Sequence, residues 1–206
     1  MAVMGRPRTF DRDRAVEQAM HIFWQNGYES TSLSQLKAGI GKGISAPSFY
    51  AAFGSKEGLF QECVQRYLSS YAQVTASLWD GQLAPRDAIE TALRSSAKMQ
   101  CERGHPKGCM VGLGVMSAPS QENAAVTAPL TRSRTRTRAG ITACIKRGID
   151  SGELRADTDV RGLATVFDAF LMGLSTLARD GVRHAVMEAS ITHIMSAWDA
   201  AKTVKD

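Results

Sequence analysis

At 206 residues, 44% of them hydrophobic and 22% charged, the chain can bury one large core or two modest ones without crosslinks, and its composition excludes a disordered tail. A formal net charge of +5 and a pI of about 9.2 favour a polyanionic partner; Arg6, Arg8, Arg12 and Arg14 gather near the start, whereas Asp157, Asp159, Asp168, Asp180, Glu188 and Asp199 lie in the last quarter. The opening MAVMGRPRTF is too polar for a secretory signal, no window holds about 18 uncharged apolar residues, and Cys63, Cys101, Cys109 and Cys144 follow neither a disulfide-framework nor a CxxC spacing, so a cytoplasmic protein with reduced thiols and no membrane partner is expected.

Residues 1–9, with Gly5, Pro7 and two arginines, read as a flexible arm. From Asp11 to Asn26, Val16, Ala19, Met20, Ile22, Phe23 and Trp24 recur at three and four, the period of a helix with one buried face, and Gly27 stops it. Thr31 and Ser32 are placed to cap a helix starting near Leu33, since their hydroxyls accept the N–H groups left free in a first turn. Leu33 and Leu36 form its apolar side, and Gly39, Gly41 and Gly43 end it. Ser45 caps a second short helix, with Pro47 in its first turn, running through Phe49 and Tyr50 to Phe53. Ser55 caps a third, which begins with Lys56 and Glu57. Two short helices and a turn feeding a longer helix present one helix end to a DNA groove. Ser45, Ala46, Pro47 and Ser48 are small enough to let that backbone approach base edges.

Phe60, Cys63, Val64, Tyr67, Leu68, Tyr71, Val74 and Leu78 trace one stripe, which predicts a single helix from about 56 to 79. After a break at 81–85, a helix over 86–103 turns Ala88, Ile89, Ala92, Leu93, Ala97 and Met99 inward. A loop at 104–108 precedes a short apolar helix at 109–117; Pro119 and Ser120 open another that runs to Ser151 and stops at Gly152. Asp157 and Thr158 cap a helix that is apolar on nearly every side from Val160 to Ala178. A helix of that kind is enclosed all round, and in a chain of this size a second subunit has to cover it. The last helix, over 183–202, buries Val186, Met187, Ile191, Ile194, Met195 and Trp198. No period-two alternation is long enough for a strand, so the expected fold is all-α.

The runs RPRTFDRDRAVEQAMHIFWQNGYESTSLSQL and GISAPSFYAAFGSKEGLF resemble the TetR family of one-component repressors over roughly the first third of the chain, and GHPKGCMV is a weaker match to a mid-domain segment of some members. The turn GIGKGIS departs from the family's AAGIS-like turn by about two extra residues, which bears on the register of the recognition helix. The resemblance implies an N-terminal three-helix helix-turn-helix DNA-binding domain, placed at 1–55, and a C-terminal helical ligand-sensing and dimerisation domain at 56–206. It implies a non-enzymatic homodimer, joined through the helices at 157–179 and 183–202, that binds a pseudo-palindromic double-stranded DNA operator and releases it when an unknown small-molecule inducer binds, without a cofactor. Ligand would act through the helix at 56–79 as a lever. The resemblance also makes Tyr50 a phosphate contact, while Phe49 is expected in the small N-terminal core; the competing reading is that Tyr50 only closes that core as well.

Lys56 sits at a helix N-terminus, where charge and free N–H groups favour a phosphate, and Thr31 and Ser32 offer the same on the neighbouring strand. Arg6 and Arg8 suit a narrow minor groove, or else form a basic tail of nonspecific affinity. Arg132, Arg134, Arg136 and Arg138 fall on a helix as two pairs and read as a solvated face rather than a second DNA site. GIGKG only mimics a phosphate-cradling loop, because a helix and not a strand precedes it and no GKS or GKT follows. Met99, Met110, Met116, Phe167, Phe170 and Met172 are candidates to line a ligand pocket, although a plain core has the same composition. Asp168 either pairs with a buried donor or recognises ligand. Cys101, His105 and Cys109 leave open a thiol-redox or metal-responsive repressor on the same scaffold, against the plainer reading of inert buried cysteines. His21, His184 and His193 share no triad partner, so no enzyme is expected.

Overall fold

Asp11 accepts the main-chain N–H of Arg14 and so starts α1 (Arg12–Asn26), whose buried side carries Val16, Ala19, Met20, Phe23 and Trp24. The computed structural model describes residues 11–41, 43–116 and 120–203, with the side chains of Val115 and Met116 outside that description. Among the described residues eight further α-helices follow: α2 (Leu33–Gly39), α3 (Ala46–Phe53), α4 (Lys56–Ser69), α5 (Pro85–Cys101), α6 (Met110–Met116), α7 (Ala124–Asp150), α8 (Val160–Arg179) and α9 (His184–Asp199). Among the described residues the extended pairing is one isolated bridge, Leu154 to Lys202.

The single helix expected over 56–79 is broken. Ser70 leaves helical geometry at φ −125° and ψ −89°, and residues Tyr71–Trp79 continue as a 3-10 segment. Side chains take the acceptors there: Ser69 and Ser70 hydroxyls both donate to the carbonyl of Arg66, and Gln73 Nε2 donates to that of Leu68. Such local bonds compete with the next helical turn, which an apolar stripe alone does not reveal. The start expected at Pro119 falls outside the described residues, and α7 begins only at Ala124, after a turn in which Asn123 N–H bonds Ser120 Oγ. The cap of α8 is Asp159, which accepts the N–H of Gly162, rather than Asp157 or Thr158; the Thr158 hydroxyl instead donates to the carbonyl of Arg155.

Two apolar cores result. The first joins α1, α2 and α3 to Leu59, Phe60, Cys63, Val64 and Tyr67 of α4 and to Met110 and Val111 of α6. The Phe60 ring meets those of Phe23 and Tyr28 at 5.0 and 4.8 Å, so packing continues through the boundary expected between residues 55 and 56. The second core packs α5, α7, α8 and α9 around Ile89, Leu93, Ile145, Phe167, Leu174, Met187 and Trp198. By length and mean hydropathy of 1.3, α8 would suffice to cross a membrane, yet only 28% of it is buried within one chain. It is therefore not enclosed by its own chain: Val166 and Leu177 of α8 and Val186 of α9 stay exposed.

Candidate nucleic-acid interface and internal cavity

The α2 start is a reciprocal cap. Ser32 Oγ accepts the N–H of Gln35 and Gln35 Oε1 accepts the N–H of Ser32, leaving Ser32 exposed at the helix tip. Thr31, expected to share this role, does not reach the surface: it is fully buried, and its hydroxyl donates to the carbonyl of Gly27 at 2.6 Å, closing the turn behind α1. That removes Thr31 from the phosphate contacts.

The long turn into α3 is tied down at three points. Ile40 is buried, the N–H of Gly41 reaches Gln18 Oε1 at 2.7 Å, and the N–H of Ile44 reaches the carbonyl of Lys37. Gly41 and Gly43 take φ of 64° and 99°, a region that side chains disfavour, so the glycines absorb the added length. Ser45 then caps α3, its hydroxyl accepting the N–H of Ser48. Phe49 and Phe53 point into the first core, which matches the expectation for Phe49, while Ser45, Pro47, Ser48 and Tyr50 lie exposed and Ala46 half-buried. Tyr50 is half exposed, at 50%. The helix thus shows solvent a small, acid-free face with one phenol on it.

Gly54 turns the chain at φ 70°, and Ser55 caps α4 through the N–H of Gly58. Lys56 begins that helix with its ammonium 4.3 Å from the centre of the Tyr28 ring, and burial lowers its pKa against a weaker pull from Glu29. Arg6 and Arg8 lie outside the described residues.

Inside the helical body, a cavity of about 50 Å3 opens where α5, α6, α7 and α8 meet. Met99 and Asp168 line it as expected. Met110 and Phe167 do not: each is fully packed, in the first and second core respectively, and Phe170 packs against the second core. The side chain of Met116 is outside the described residues. Reasoning from apolar residues missed the polar part of the lining, notably Gln100 and Arg134. The available signal was Gln100 on the inward stripe of α5.

Of the four arginines at 132–138 in α7, Arg132, Arg136 and Arg138 are exposed, as expected of a solvated helix surface, and Arg134 is half-buried. Arg136 lies over the Trp79 ring at 4.7 Å, Arg132 is exposed beside it, and both border an outer cleft of about 530 Å3 against α4. Arg138 donates through Nε to Asp168 at 2.7 Å, so Asp168 pairs with a donor, but one whose side chain is exposed rather than buried. Arg134 turns into the cavity.

Cys101, His105 and Cys109 are drawn to different partners. The His105 ring stacks on Trp24 at 4.7 Å and 12°, Cys109 Sγ accepts the hydroxyl of Tyr67 at 3.3 Å, and Cys101 Sγ lies 3.6 Å from Met187 sulfur. Burial raises the Cys101 pKa, outweighing Lys107, so its thiolate is disfavoured. Among the described residues no group of three or more His, Cys, Asp or Glu side chains is placed to hold a metal ion.

Comparison with known proteins is consistent across the chain. Residues 15–63 match "Bacterial regulatory proteins, tetR family" and residues 86–195 match "Tetracyclin repressor-like, C-terminal domain". The HTH-type transcriptional repressor ComR of Escherichia coli (strain K12) is 32% identical over 179 residues, 86% of this chain and 83% of that protein. A cysteine-substituted TetR family transcriptional regulator CifR, solved in complex with 26bp double-strand operator DNA, is 37% identical, superposes with a TM-score of 0.81, and covers 94% of this chain and 100% of its own. A TetR regulator from Chloroflexus aurantiacus, at 24% identity and a TM-score of 0.75 over 94% of this chain and 96% of its own, shares the fold.

Proposed function

Because the chain belongs to the TetR family of bacterial regulatory proteins, we propose that it is a homodimeric DNA-binding transcriptional repressor that releases a pseudo-palindromic operator when a small molecule enters its helical body. The observation that carries this reading is α3: its aromatic side is consumed by the core, and its outer face offers Ser45, Ala46, Pro47, Ser48 and Tyr50 with no acidic residue to repel a phosphate. Similarity to a TetR family transcriptional regulator solved on operator duplex supports it. In this reading residues 1–55 read DNA and 56–206 sense ligand and dimerise, with α4 shared by both. The α3 tip meets base edges, Tyr50, Ser32 and Lys56 hold phosphates, and Arg6 and Arg8 reach the minor groove.

The exposed apolar residues of α8 and α9 support those helices as the dimer contact, which would set two reading heads roughly one helical turn or more apart, about 34 to 36 Å. Ligand acts by differential affinity for the operator-fitting and non-fitting head spacings. Selection of bound sites from random duplex at moderate salt tests the reading: a two-fold symmetric site is expected, and capture that depends on charge alone would overturn it.

A further inference from the structure

We propose that the cavity between α5, α6, α7 and α8 takes a small anion that also carries a hydrogen-bond donor, with a short hydroxycarboxylate as the class that fits. This rests on the cavity being the sensing site. Two polar atoms in its lining lack partners. Gln100 is 1% exposed, and its Oε1 accepts no hydrogen bond. Arg134 Nε is also buried and donates to nothing, and among the described residues no carboxylate pairs with its guanidinium. Buried polar groups are rarely left unmatched. Both side chains border the same space.

The two orphans ask for opposite things. Gln100 Oε1 needs a donor, whereas Arg134 needs an acceptor, and its charge favours an anionic one. Asp168, whose Oδ2 accepts Arg138 at 2.7 Å, makes no ion pair with Arg134 among the described residues. Met99 and Leu171 make the intervening wall apolar, which suits a short hydrocarbon between the two polar ends. At about 50 Å3 the space holds on the order of four water-sized groups, so the part of the ligand seated in it is small.

The probes are lactate, propionate and lactamide, titrated calorimetrically against the full-length dimer. Lactate binds tightest; propionate loses roughly tenfold because Gln100 Oε1 stays unpaired, and lactamide loses at least that because Arg134 meets no charge. Arg134→Met erases the preference of lactate over lactamide, Arg134→Lys keeps part of it, and Gln100→Leu erases only the preference of lactate over propionate. Retained helical circular dichroism shows each variant folded, and the unmodified protein's own ranking decides if one is not. Equal binding of lactate and lactamide, no binding of any probe at millimolar concentration, or an Arg134→Met protein that still prefers lactate overturns the proposal. Operator affinity is measured in the same samples. Lactate that binds without changing it keeps the ligand class and removes the sensing role, while release by neutral molecules alone does the reverse.

Discussion

Arg179, the last residue of α8, donates to the main-chain carbonyl of Trp24 at 2.9 Å, and with its other terminal nitrogen to that of Gln25 at 3.2 Å. A cation at the C-terminus of α1 satisfies carbonyls that the helix leaves free and complements its dipole. Trp24 is held from the other side as well: its indole N–H donates to the carbonyl of Gly108, and its ring meets Tyr67 and His105. Tyr67 and Cys109, joined by a hydrogen bond, border the internal cavity. The first helix is thus fastened both to α8 and to the cavity wall.

Arg179→Ala should therefore cost about 1.5 to 3 kcal/mol of stability, the range for hydrogen bonds made by a charged group. Urea unfolding measures it. Arg179→Lys, with one compact ammonium in place of a fork, should recover part of the loss.

Tyr50→Phe removes only an exposed hydroxyl, so the fold should be unchanged. Affinity should drop by roughly 3- to 10-fold on specific and nonspecific duplex alike, as expected of a phosphate contact that positions without reading sequence. Titration of both duplexes at one salt concentration checks this; a loss confined to the specific site would assign Tyr50 to a base edge.

The double change Leu177→Glu with Val186→Glu places two charges on the exposed side of α8 and α9. Sedimentation at micromolar concentration should show a dimer for the unmodified protein and a monomer for the double variant. Operator binding should fall with it, since one reading head holds half the site.

Acid should loosen the junction of α5 and α9. Arg86 grips Asp199 through two nitrogens at 3.0 and 3.1 Å, and Lys202 adds a third contact at 2.8 Å. Arg86 first and Lys202 second hold the Asp199 carboxyl below its usual range, at about 2. A depressed folded-state pKa stabilises fully above the unfolded value near 3.8 and loses that contribution as pH falls toward 2. The pair is partly solvated, so the effect is under about 1 kcal/mol. Asp199→Asn should lower stability at neutral pH and flatten the pH dependence between those two values in thermal unfolding.

Periodicity and capping placed the helices, because both are local. A repeat of three and four decides which side of α1 is buried, and a serine hydroxyl one residue ahead of a helix needs only its own first turn, as at Ser32, Ser45 and Ser55. The same locality made the outward residues of α3 legible: once Phe49 and Phe53 take the core side, Ser48 and Tyr50 have no other direction to face. The 3-10 break after Ser69 was not legible, since hydroxyls competing for one carbonyl leave no mark on an apolar stripe.

What required the folded chain was every decision in which distant segments compete for one space. Thr31 was lost to the turn behind α1, Met110 and Phe167 were claimed by separate cores, and Arg134 and Arg138, one turn apart on the same side of α7, met different partners: Asp168 takes Arg138, while Arg134 Nε is buried with none. The residues alone determine which faces are apolar and where helices begin and end. Only the packing of α5, α7 and α8 decides which polar side chains are left buried without a partner, because that depends on what arrives from the other helices to meet them.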